Sequence, residues 1–166
     1  MVKIHCTAKL KDFLSPLIDT NSLETAEVWN AHLFYLNRKK CICFLNKETL
    51  YTVVLFDVLK KDLDNLKTLF VESLIQQLYS DDILEKKNEQ KVRSKFDEIH
   101  FYPTNNDRSV QGSLNDTLFR IKYWGTLEEA INYVSKWVNE TPMKAIKFQY
   151  SKEVMREKIM NYHYFV

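Results

Sequence analysis

Two glycines and three prolines are all that this chain of 166 residues contains. That scarcity excludes a flexible Gly/Ser- or Pro-rich linker and argues against a loop-rich β-sandwich, whose turns draw on both residues. Long apolar runs are missing too. None approaches the ~20 residues that cross a bilayer, and the opening stretch MVKIHCTAKL has no apolar core of the kind a secretory leader needs. The expectation is a cytoplasmic protein without a membrane partner. Charge of one sign is lacking: 24 Lys and Arg against 22 Asp and Glu leave a net charge of +2. That is too little to mark a nucleic-acid binder, although a local basic patch would suffice. Cysteine is sparse, and Cys6, Cys41 and Cys43 form no C-x-x-C. In a reducing compartment these read as buried thiols.

Apolar and aromatic material is plentiful. Residues of apolar type make up 45%, with ten Phe, nine Tyr and three Trp, enough to bury a core without disulfide or metal staples. The length fits one domain. The pattern assigns residues 1–140 to a single α+β domain and 141–166 to a C-terminal extension packed on it or appended to it.

Local patterns place the elements. VKIHC (Val2 to Cys6) reads as a first strand, and Thr7 as the cap of a helix ending before Pro16. Residues 15 to 27 read as a polar connection. Trp29 to Leu36, Cys41 to Leu45 and Leu50 to Phe56 are rich in β-branched and aromatic residues and are separated by the turn-like NRKK and NKET. They predict an antiparallel three-stranded meander in a mostly antiparallel sheet. The last two runs are apolar on both faces, which predicts partial cover on both sides, with helices packed mainly on one. Leu59, Leu63, Leu66, Phe70, Leu74 and Leu78 mark an amphipathic helix. Ser80 would cap a second, polar helix through Phe96, and Glu98 to Tyr102 would form another strand. Val110, Leu114, Leu118 and Ile121 mark a helix that Gly125 suits to end. Thr126 with Glu129 forms a capping box for the next, whose Leu127, Ala130, Ile131, Val134, Trp137 and Val138 face the core. A strand over Ala145 to Tyr150, a short basic helix and the aromatic tail YHYFV close the chain.

The densest polar stretch is TNNDRSVQGSLND, Thr104 to Asp116, between a strand and a helix. A helix N-terminus offers free N–H groups and partial positive charge. Arg108 adds a bidentate donor suited to phosphate or carboxylate. Ser109, Gly112 and Asp116 share one side at i, i+3 and i+7, and Gly112 permits close approach. Asn106 and Asn115 supply further polar groups. The pattern fits an anion site. It equally fits a structural cap: Asp107 or Asn106 can cap the helix, Arg108 can pair with Asp116, and Gly112 can serve packing.

His5, His32 and the three cysteines raise zinc or a Cys–His nucleophile, and neither has the spacing. Cys41 and Cys43 at i, i+2 fit an apolar strand face. No metal and no cofactor is implied. His5 and His32 become acid–base candidates if their strands carry them to the end that meets Arg108. Lysines and arginines also gather at 38–40, at 86–95 and in the C-terminal part, where Tyr150, Tyr162 and Tyr164 lie among them. Basic groups with interleaved aromatics suit phosphate contact and base stacking, but Glu85, Glu89, Glu153 and Glu157 dilute them, which favours a solvated, charge-laced surface.

IHCTAKL, NRKKCICFLNKET and RSVQGSLND together resemble an uncharacterised bacterial family, a domain of unknown function, over roughly residues 4 to 120. That family is similar in an H-C-T-x-K-L start, an R-K…F-x-N hairpin and an N-R-S-x-x-G-S-x-N-D signature. The resemblance implies that Asn106, Arg108, Ser109, Gly112, Ser113, Asn115 and Asp116 stand at the shared motif. It implies no activity. Here Asp107 intervenes between Asn and Arg, a departure that bears on Asn106. The expectation is a binding module for an anionic partner, whether nucleic acid, phosphate-bearing ligand or protein. The alternative is a small hydrolase or transferase on a phosphate-bearing substrate, with Arg108, Asn115 and Asp116 in the site.

Overall fold

The first strand buries every other residue, whereas the middle and far strands of the sheet are buried along most of their length, so one sheet carries a core on each face. The computed structural model describes residues 1–19, 27–124 and 133–161. Strand β1 (Val2–Cys6) lies between β2 (Glu27–Leu36) and β5 (Ile99–Pro103) and is parallel to both. β3 (Lys39–Asn46) runs antiparallel to β2, and β4 (Thr52–Leu55) antiparallel to β3. The order is β4-β3-β2-β1-β5. The sheet is therefore mixed, not mostly antiparallel as the pattern predicts. Parallel pairing needs a long crossover, so the partners of β1 and β5 follow from connections that no local periodicity encodes. Asn37 and Arg38, with φ of 48° and 63°, form the two-residue turn between β2 and β3.

On one face, Ile4, Trp29, Phe44 and Phe101 meet α1 (Ala8–Phe13), α2 (Leu66–Ser80) and α3 (Glu89–Lys95) in a single core. Phe70 of α2 stacks on Phe44 at 4.4 Å between ring centroids and meets Trp29 edge-on at 5.2 Å. Each such pair adds about 0.5–1.5 kcal/mol beyond burial. The opposite face carries α4 (Arg108–Trp124) and α5 (Val134–Asn139), whose Val110, Leu114, Ile121 and Val138 pack on Phe34, Cys43 and Val54. Both faces are thus covered, as the apolar character of β3 and β4 predicts. The hairpin of β6 (Pro142–Met143) and β7 (Gln149–Tyr150) follows, and α6 (Ser151–Met160) returns Met155 and Ile159 to the first core.

Several boundaries depart from the local pattern. Residues Lys60–Asn65 form a 3₁₀ segment, so α2 begins at Leu66 and leaves Leu59 48% exposed. Ser80 ends α2 and caps nothing. Asp82 turns the chain at φ 55°, and Ile83 and Leu84 tuck into the core before the short α3. Burying those two side chains outweighs the helical continuation that Ser80 would start. The strand expected over 145–150 is instead the two-residue β7 after a 3₁₀ turn at Lys144–Ile146. Trp137 is 38% exposed and stacks with Tyr133. Gly125, the Thr126–Glu129 box, Leu127, Ala130, Ile131 and the YHYFV tail lie outside the described residues. No described helix is long and apolar enough to cross a membrane.

Candidate functional site

The helix that follows the polar loop is capped by its own sequence. Asp107 accepts hydrogen bonds from the N–H groups of Ser109 (3.2 Å) and Val110 (3.3 Å), and its other oxygen meets Lys47 Nζ at 3.0 Å. This is an N-cap. The Lys47 bond first, then the amide donors, hold the Asp107 carboxyl below the usual aspartate range. The N–H groups expected to greet an external anion are thus taken by an internal carboxylate, which corrects the helix-terminus version of the anion site. Ahead of the cap, Asn106 has φ 57° and donates its N–H to Thr104 Oγ1 (3.1 Å), while Asn105 accepts from the Asp107 N–H (3.2 Å). Asn106 serves this tight turn.

The side of α4 fares differently. Arg108, Ser109, Gly112, Ser113 and Asp116 line a shallow cleft of about 430 Å³, whose far wall is Met143, Lys144 and Ala145. Five positions of the quoted stretch therefore share one concave surface. The helical spacing carried the near wall. Nothing local marked the far wall, which lies across the cleft only because the β6–β7 hairpin folds back on α4. Asp116 pairs with Arg120 at 3.2 Å, not with Arg108. Arg108 is exposed and has no ion pair among the described residues. A methyl group built on Gly112 would meet no heavy atom within 4 Å apart from its chain neighbours and the backbone of its own helix, so packing against other elements does not account for that glycine. Asn115 is exposed and does not line the cleft.

The histidines lie elsewhere. His5 Nδ1 sits 2.8 Å from the Pro103 carbonyl, which only accepts, so Nδ1 carries the proton. His32 projects from β2, half-buried, and burial first, then Lys122 and Lys9, lower its pKa. Neither lines the cleft with Asp116. Burial pushes the Cys6 thiol up to about 12 and raises Cys43 as well, so neither is a thiolate near neutrality. No group of three or more His, Cys, Asp or Glu among the described residues is placed to hold a metal ion.

The NKET turn has a structural explanation. Buried Asn46 accepts from the N–H groups of Glu48 and Thr49, both at 3.0 Å, and from Thr49 Oγ1 at 3.1 Å. Its amide donates to Glu27 (2.9 Å), which also takes the Trp29 indole N–H (3.0 Å). Thr7 occupies the cap position of α1 but makes no side-chain cap bond.

A family model matches residues 3–154. The chain belongs to the family described as Domain of unknown function (DUF6933). The matched range runs past the residues 4 to 120 that carry the sequence resemblance. It takes in both walls of the cleft, Arg108 to Asp116 and Met143 to Ala145. The chain matches no curated protein and no solved structure.

Proposed function

We propose that this member of the DUF6933 family is a binding module that recognises an anionic partner along the α4–hairpin cleft. One observation carries the reading. Gly112 lines the cleft where an alanine would fit without a clash, and Arg108 and Lys144 line it too, with no ion pair among the described residues. A glycine inside a helix costs about 1 kcal/mol relative to alanine. Two cations left to solvent beside it add little to stability. Both features make sense where another molecule approaches the helix backbone and brings negative charge. Among the described residues no hydrogen bond joins Ser109 or Ser113 to Asp116 or Lys144 as a nucleophile would be joined to its base. Ser113 donates to the Ser109 carbonyl and Asp116 pairs with Arg120, which favours binding over hydrolysis or group transfer.

The test is the affinity of a fluorescent polyphosphate chain at low ionic strength, measured for wild type, Arg108→Ala and Lys144→Ala. Each variant is expected to weaken binding several-fold while its melting temperature stays within about a degree of wild type, because both side chains are exposed. Equal affinities in all three proteins, or no binding to wild type, would overturn the proposal.

A further inference from the structure

The hairpin that walls the cleft also carries an exposed aromatic ring in an unfavourable backbone conformation. Lys147 and Phe148 both adopt left-handed backbone, with φ of 56° and 62°. A bulky residue is rare there, and such positions cost on the order of 1 kcal/mol or more. The loop is closed from within: the Lys147 N–H donates to the Lys144 carbonyl (3.0 Å) and the Phe148 N–H to the Met143 carbonyl (2.9 Å). Phe148 is nevertheless 67% exposed, so burial of the ring does not offset the strain. The same loop holds Lys144 and Lys147, neither with an ion pair among the described residues, and Arg108 faces Lys144 across the cleft. Two neighbouring charges are paired, Lys152 with Glu140 at 2.8 Å and Asp116 with Arg120. The result is a local excess of positive charge beside a projecting ring, on a chain of nearly balanced charge.

We infer that the cleft and hairpin form a docking site for single-stranded nucleic acid, with the phosphate backbone along Arg108, Lys144 and Lys147 and a base stacked on Phe148. The inference rests on the reading of the cleft as an anion site and names its partner. A bare phosphate chain would satisfy the cations and leave the ring in water. An acidic peptide matches the charges but brings no flat π-face at each step. A single strand supplies both, and stacking on an aromatic residue tolerates any base.

The experiment compares a labelled oligothymidylate or oligouridylate of about 15 nucleotides with polyphosphate and polyglutamate of equal charge. The proteins are wild type, Phe148→Ala, Phe148→Trp and Lys144→Ala/Lys147→Ala. Wild type is expected to bind the oligonucleotide about tenfold more tightly than polyphosphate. Phe148→Ala removes that margin and leaves polyphosphate affinity unchanged, and Phe148→Trp preserves it. Three phosphate contacts give a slope of log affinity on log salt of about −2, falling to roughly −0.7 in the double lysine variant. Polyphosphate or polyglutamate bound as tightly as the oligonucleotide, with Phe148→Ala indifferent, would overturn the nucleic-acid inference and leave the cleft reading standing. No binding of any polyanion at low salt would overturn both.

Discussion

Replacing Gly112 by alanine separates stability from recognition at a single atom. The residue lies in the second turn of α4, in regular helix, with φ outside the left-handed region. The added Cβ has no heavy atom within 4 Å to collide with. The change should therefore deliver the whole helix-propensity difference, about 1 kcal/mol, most of it from restricting the unfolded chain. For a domain of this size that corresponds to a rise in melting temperature of about 2–4 °C. Because Gly112 lines the cleft with Arg108 and Lys144, the added methyl group should also weaken polyanion binding several-fold. Calorimetry and anisotropy on one pair of proteins read both effects. A fall in melting temperature would show that Gly112 is packed and would refute the steric argument. A rise with unchanged affinity would show that the glycine does not line a docking site.

The structure sets further expectations. Asp107→Asn keeps a cap acceptor but loses the charge that meets Lys47. Because the native carboxyl is held low, its contribution is full above the unfolded value near pH 4 and is lost as pH falls through the native value. The variant should therefore melt below wild type at pH 7, and the gap should close in acid; a gap independent of pH would refute the pairing. Asn46→Ala leaves the buried Thr49 N–H and hydroxyl without their acceptor and should lower the stability read from urea unfolding by about 1–3 kcal/mol. Cys6, Cys41 and Cys43 are buried. All three thiols should resist an aromatic disulfide reagent in the native protein and react together after denaturation; one fast-reacting thiol in the native state would contradict that burial.

Local pattern was enough to locate the five strands of the main sheet and much of the helical content, because alternation in Val2 to Cys6 and three- and four-residue spacing in Val110 to Ile121 report which side of an element is buried; the β6–β7 hairpin escaped it. It also determined which side of α4 is polar, since Ser109, Gly112 and Asp116 at i, i+3 and i+7 share a face in any helix. It left open whether Asp107 or Asn106 caps that helix, and the bonds to Ser109 and Val110 assign the role to Asp107. Tertiary packing set β1 in parallel between β2 and β5, chose which helices cover each face, and kept His5 and His32 out of the cleft. It alone set Met143 and Lys144 opposite Arg108 and Gly112. Periodicity encodes the direction in which one element faces. Which distant element it meets is decided by the packing that buries both cores at once, and no local spacing records it.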